Sequence, residues 1–229
     1  MAEKNGNQSV PEQLFHTTLT VVNYHDETYG FTQDVYVLGT HTSLPAAKAF
    51  ALTALESLGY TQDDFETYTA RKDTPGEEWP HGENVVAYAK TPRGQDFLVG
   101  IDSKPNTQAL RARPDDTVEL PEGHAHLHYV LHNKTDYDQA KGGEYQTTDI
   151  RGCYAHRSNA VKAAKSALRK DRAEYAQYDE RGDTESESEW PFGEDVVARA
   201  VAQTGENLTV AVRSVPGAYK KHRKSQEGC

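Results

Sequence analysis

Cysteine, methionine and tryptophan are scarce in this chain: two, one and two among 229 residues. Two cysteines cannot build the disulfide framework of a small secreted domain, and a reducing compartment fits such usage better. Long apolar runs are missing as well. None approaches the roughly 20 residues that a bilayer span requires. The first thirteen residues, MAEKNGNQSVPEQ, contain no apolar stretch of the secretory kind. Excess positive charge is also absent. With 25 Lys and Arg against 35 Asp and Glu the net charge is −10, which disfavours nucleic acid as a partner. No G-x-x-x-x-G-K-[ST] loop, G-x-S-x-G elbow, H-E-x-x-H or C-x-x-C occurs. These absences lean away from an enzyme, a membrane partner or a bound cofactor, and towards a cytoplasmic protein. The apolar fraction is low at 36%, yet 13 Tyr and 6 Phe argue against a disordered chain.

What the chain does contain is a repeat. WPHGENVVAYA from Trp79 matches WPFGEDVVARA from Trp190, and the offset of 111 holds without a gap to Pro105 and Pro216. Those 27 positions hold 12 identities, where composition alone gives about two. Upstream, Gly39 and Leu55 fall on Gly152 and Leu168. His16, Leu19, Asp26 and Gly30 fall on His128, Leu131, Asp138 and Gly142, and Phe65-Glu-Thr-Tyr68 falls on Tyr175-Ala-Gln-Tyr178. The division is therefore a disordered arm (1–13), a first copy (14–105), a linker (106–125), a second copy (126–217) and a basic disordered tail (218–229).

Each copy reads alike. Strands are expected over Thr18–Tyr24 and Asp34–Thr40, with counterparts at Leu127–Leu131 and Thr147–Tyr154. A helix follows, capped by Ser43, with Pro45 in its first turn and Gly59 as its stop. Its apolar face is Ala46, Ala47, Phe50, Leu52, Ala54, Leu55 and Leu58. In the second copy Ser158 caps a run with Ala160, Val161, Ala164, Ala167 and Leu168 inward. Two further strands close each unit, Asn84–Lys90 with Asp96–Asp102 around the Pro92-Arg93-Gly94 turn, and Asp195–Ala202 with Asn207–Arg213. The fold class is α+β: a tandem ββαββ unit, each a four-stranded, mainly antiparallel sheet with one helix on a face. One helix covers only one face, so a pseudo-two-fold pairing of the copies is expected.

Three groups of residues could carry function. His124, His126 and His128 alternate, and on a strand they would share one face and could hold Zn²⁺ or Cu²⁺. Trp79 and Trp190 could stack on a ligand with Glu83 and Glu194 as polar or acid/base groups, although Trp-Pro-x-Gly equally serves as a loop anchor before a buried strand. Lys162, Lys165, Arg169 and Arg172 form a basic stripe at helical spacing, suited to phosphate or to a solvated face. The run Lys220–Lys224 resembles a short nuclear address. Cys153 has Thr40 as its counterpart and no His or Asn context for a nucleophile. The carboxylates of Asp63-Asp64, Glu77-Glu78 and Glu185–Glu189 belong to polar loops.

The stretch Gly39-Thr-His-Thr-Ser-Leu-Pro-Ala-Ala-Lys48, followed by Trp79-Pro-His-Gly-Glu-Asn-Val85, resembles soluble proteins of filamentous fungi. These are built from one or two copies of a G-T-x-T-S-L-x-x-A-K / W-x-H-G-x-x-V repeat. The resemblance spans nearly the whole chain outside its tails and implies no activity or site residue. The second copy departs from it at Gly152-Cys-Tyr-Ala-His-Arg-Ser158. The leading functional reading is a non-enzymatic intracellular protein that binds another protein or a small ligand through a sheet face or the groove between copies. The alternatives are a metal protein centred on His124, His126 and His128, and a nucleic-acid accessory protein using the basic helix and tail.

Overall fold

The computed structural model describes residues 9–24, 32–72, 78–136, 146–169, 171–182 and 190–224. The expected turns at Asp26, Gly30, Asp138 and Gly142-Gly143 lie outside these residues, as do Glu77, the acidic run Glu185–Glu189 and the chain end from 225.

The first half contains β1 (Gln13–Asn23), β2 (Thr32–His41), α1 (Leu44–Ser57), β3 (Thr67–Ala70), β4 (Val85–Lys90) and β5 (Asp96–Pro105). A short hairpin of β6 (Arg111–Ala112) and β7 (Val118–Glu119) follows. The second half contains β8 (His128–Thr135), β9 (Gln146–Tyr154), α2 (Arg157–Arg169), β10 (Tyr175–Glu180), β11 (Val196–Ala202) and β12 (Asn207–Ser214), and α3 (Val215–His222) is the last element among the described residues. The protein is α+β, with two five-stranded sheets of antiparallel pairs, ordered β2-β1-β5-β4-β3 and β10-β11-β12-β8-β9. Read from the opposite edge, the second order repeats the first.

The four-strand expectation is corrected by β3 and β10. These are edge strands of four and six residues in which Tyr68, Tyr175 and Tyr178 turn inward, too little apolar alternation to mark a strand. Pairing along the other strands explains a second shift. Thr17 lies opposite Gly39 and Ile101, and the ladder then skips Leu38. Val130 lies opposite Gly152 and Val212, and the ladder then skips Arg151. Aligned on these bulges, His16 matches Tyr129 rather than His128. A one-residue slip sends a side chain to the other face.

Each sheet buries one face under its helix. On α1, Ser43 Oγ accepts from Ala46 N, Gly59 ends the helix at φ +88°, Ala47 is buried, and Ala51, Ala54 and Leu55 pack on Leu19, Leu38, Ala87 and Val99. This alanine-rich face seats the helix closely. Leu52 departs from the expected inward set and is 42% exposed. In the second half Ala160, Ala164 and Leu168 pack on Val130, Val197, Val210 and Val212, and Ser158 sits inside the helix rather than capping it.

The faces turned away from α1 and α2 meet each other. Leu14 and Val37 from the first sheet join Tyr129, Leu131, Ile150 and Cys153 from the second in one core. Leu110 and Val118 complete it, so residues 106–125 are structural fill as well as a connection. Arm residues 9–12 are held to that segment: Ser9 O accepts from Ala112 N at 3.0 Å, and Pro11 O from Asn106 Nδ2 at 2.9 Å. At the centre of the seam His16 is fully enclosed, edge-on to Tyr129 with ring centroids 5.7 Å apart. The Thr40 hydroxyl bridges His16 Nδ1 at 2.9 Å and Tyr129 OH at 2.8 Å.

The basic tail is corrected most clearly. Its first residues belong to α3, which starts behind a Ser214 cap and lays Ala218 and Tyr219 against the first half's core. Tyr219 OH is 2.8 Å from Ser57 Oγ, Lys224 N donates to Leu58 O, and Lys224 Nζ pairs with Asp64. No helix among the described residues is long and apolar enough to cross a membrane.

Candidate functional site

The repeated tryptophan loops lead into β4 and β11. Gly82 and Gly193 adopt φ of +106° and +112°, where a side chain is strained. Each turn is closed by a 3.2 Å bond from Val85 N or Val196 N to the glycine carbonyl. Arg71 and Arg181 then clamp the loops by donating to the Glu83 and Glu194 carbonyls at 2.5 and 2.8 Å. Trp190 is buried edge-on to Phe192, and the half-buried Trp79 is edge-on to His81. In this geometry the indoles anchor loops, and Glu83 and Glu194 contribute backbone carbonyls while their side chains face solvent. Glu194 also borders a cleft described below.

The histidines do not share a strand face. Only His128 belongs to β8; His124 and His126 precede it, after a turn in which Gly123 takes φ +81° and His124 N donates to Pro121 O. Period-two alternation therefore does not apply to the three. His124 Nδ1 lies 3.1 Å from Glu122 O, which can only accept, so this nitrogen carries the proton. In the neutral ring its Nε2 then accepts from His156 Nδ1 at 2.8 Å, which occupies the lone pair a metal would need. His126 and His128 stack edge-on with centroids 4.8 Å apart. Among the described residues no three His, Cys, Asp or Glu side chains form a group able to hold a metal ion.

The basic stripe divides. Arg169 donates to Glu180 at 2.6 Å, with Lys165 3.9 Å from the same carboxylate. Arg172 lies beyond the helix end and covers the Tyr178 ring at 5.0 Å. Lys162 is exposed. Cys153 is buried, and burial pushes its thiol up to about 11, the opposite of an activated nucleophile.

Two clefts open where the halves meet. One, of about 770 Å³, has the Thr18, Thr20, Leu98 and Gly100 face of the first sheet as its floor and Thr148–Ile150 of β9 as a wall. Tyr24 and Tyr88 donate to the two oxygens of Asp96 at 2.8 and 2.9 Å, and burial together with these bonds pushes both phenols up to about 12. His81 stacks on Tyr88 at 4.0 Å. Lys104 at the rim bonds Asp149 at 2.6 Å across the seam and lies 3.3 Å from Asp102. The other cleft, of about 830 Å³, lies between α2 and α3, with Tyr36 of the first half and Val161, Val197 and Val212 of the second in its lining. It brings Lys165 of the stripe and Lys220 and Lys221 of the tail to one place. Comparison with protein-family models, curated proteins and solved structures gives no match.

Sequence reasoning missed Arg157, Arg181 and Arg213, which also line this cleft. Each stands alone in its own segment, and no local pattern joins them. Arg213 is well enclosed, its side chain 17% exposed. It donates to Val35 O at 2.7 Å, reaches Asp34 at 3.3 Å, and covers the Tyr36 ring at 4.5 Å.

Proposed function

We propose that the chain is a non-enzymatic binding protein built from a duplicated unit, whose halves pair about a pseudo-two-fold axis and bind small ligands along their seam. The observation that carries the reading is the placement of two clefts, of about 770 and 830 Å³, at that seam, each with lining residues from both halves. Such inter-unit clefts, within about 300–1,000 Å³, are where small-molecule sites concentrate. The duplication is supported by the shared strand order and the matched bulges at Gly39 and Gly152. The packing of the corresponding residues His16 and Tyr129 on each other supports the axis. So does the contact of β5 with β9 and of β12 with β2, since exchanging the halves turns one pair into the other.

A binding role is favoured over catalysis because these carboxylates at the seam are committed to partners. Asp96 accepts from two phenols, Asp149 pairs with Lys104, and Asp34 pairs with Arg213. Native mass spectrometry of gently purified protein tests the reading. The expected result is a mass excess that denaturation removes and that Thr20→Trp or Val161→Trp, each filling one cleft, abolishes. A mass excess retained by both variants would place the ligand elsewhere and overturn the reading.

A further inference from the structure

The cleft between α2 and α3 has a charge opposite to that of the whole chain. Among the described residues, Arg157, Lys165, Arg181, Arg213, Lys220 and Lys221 line it with two acids, Glu194 and Asp195. This is a net +4 lining in a chain of −10. The cations arrive from four directions: α2, the end of β10, β12 and α3. Solvated surface lysines would spread apart to lower their repulsion, whereas the fold brings these together over a floor of Val197 and Val212. Two polar atoms in this lining also have no hydrogen-bond partner among the described residues. Arg213 Nε is buried without a hydrogen bond, its nearest carboxylate oxygen, on Asp195, standing 3.6 Å away. Tyr36 OH is likewise buried without a partner, while Arg213 and Lys221 flank its ring at 4.5 and 5.1 Å.

We infer that this cleft binds a small molecule carrying several phosphate groups. The inference rests on the seam-binding reading above and names the ligand class for one of its two clefts. Size excludes a long polymer as the matched ligand, since about 830 Å³ suits a single small molecule. Charge requires several anionic oxygens spread over the ligand, because the cations converge from different sides and no single carboxylate meets them all. Three of the six are arginines, whose planar forks match phosphate oxygens.

The test is isothermal titration of the full chain with sodium tripolyphosphate and with ATP at low salt, citrate serving as the carboxylate arm. The expected result is saturable one-site binding of both phosphate probes, weakened by added salt. Arg157→Ala/Lys220→Ala alters two exposed cations and should lower the affinity by about tenfold or more, the scale of one or two lost charge-assisted contacts. Its melting temperature should not fall. Lys72→Ala/Lys90→Ala, on the first half, removes the same charge away from the cleft and should leave the affinity within about twofold. Absence of tripolyphosphate and ATP binding, equal weakening by both double variants, or citrate binding as tightly as tripolyphosphate would each overturn the inference. A neutral ligand found by native mass spectrometry and displaced by Val161→Trp would overturn the phosphate class while leaving the seam reading intact.

Discussion

His16 provides a quantitative test of how the two halves are held together. Its ring is fully enclosed, Nδ1 is bonded to Thr40, and Nε2 has no partner among the described residues. Burial, followed by the nearby positive charge of Lys104, lowers its pKa from 6.5 to about 4. The unfolded chain therefore takes up a proton below about pH 6.5, and the folded chain does not until about pH 4. The stability carried by the neutral ring is intact above pH 6.5, drains away as the pH falls, and is gone below 4. At about 1.4 kcal/mol per pKa unit the full window is worth about 3 kcal/mol, of which about 2.5 kcal/mol is lost by pH 4.5. The assay is urea unfolding at pH 7.5 and pH 4.5 for the wild type and His16→Gln, which keeps a polar side chain without a titrating proton. Burial also lowers His41, His128, His132 and His222, but they titrate in both proteins and cancel in the comparison. The wild type should lose about 2–3 kcal/mol more than His16→Gln between the two pH values. Equal losses would refute the claim that His16 is folded into the seam as a neutral, enclosed ring.

Other consequences follow from the same structure. Trp190→Ala removes a buried indole from its contact with Phe192 and should cost about 3–5 kcal/mol in urea unfolding, with the half-buried Trp79 costing less. Gly193→Ala places a side chain at φ +112° and should destabilise by about 1–3 kcal/mol, measured the same way, although Cβ would meet only Val196 at 3.6 Å. Cys153 should resist a thiol-labelling reagent at pH 8 in native protein and react once urea unfolds it, because it is both buried and held as a thiol. Fast labelling of this residue in native buffer would show that the seam core opens.

The sequence was most legible where a local rule decides the structure. Ser43 and Gly59 bound α1 because cap and stop are chosen within a few residues, and strand alternation marked the central strands of each sheet. Legibility failed where a residue's role is fixed by distant partners. The identity of His16 with His128 drew the eye to an alignment that the bulges at Gly39 and Gly152 displace by one residue, and only cross-strand pairing reveals it. The tail read as disordered from its composition. Its helix depends on Tyr36, Ser57, Leu58 and Asp64, residues more than 150 positions away.

Charge shows the same division between local and distant order. Counted along the chain, the first copy is −7, the second −3 and the tail +3, a gradient that suggests the tail's attraction to the first half. That attraction has a site, since Lys224 pairs with Asp64 and Lys221 sits over Tyr36. Docking the tail there has a second effect that no running count reveals. It carries Lys220 and Lys221 to the same cleft as Arg157, Arg181 and Arg213, which lie singly in three other segments. Like charges gathered in this way oppose folding, so their convergence calls for compensation beyond what Glu194, Asp195, Asp34 and Glu180 give among the described residues. A multiply charged anion would supply it, and the chain's net −10 would then discourage long polyanions from competing for the cleft.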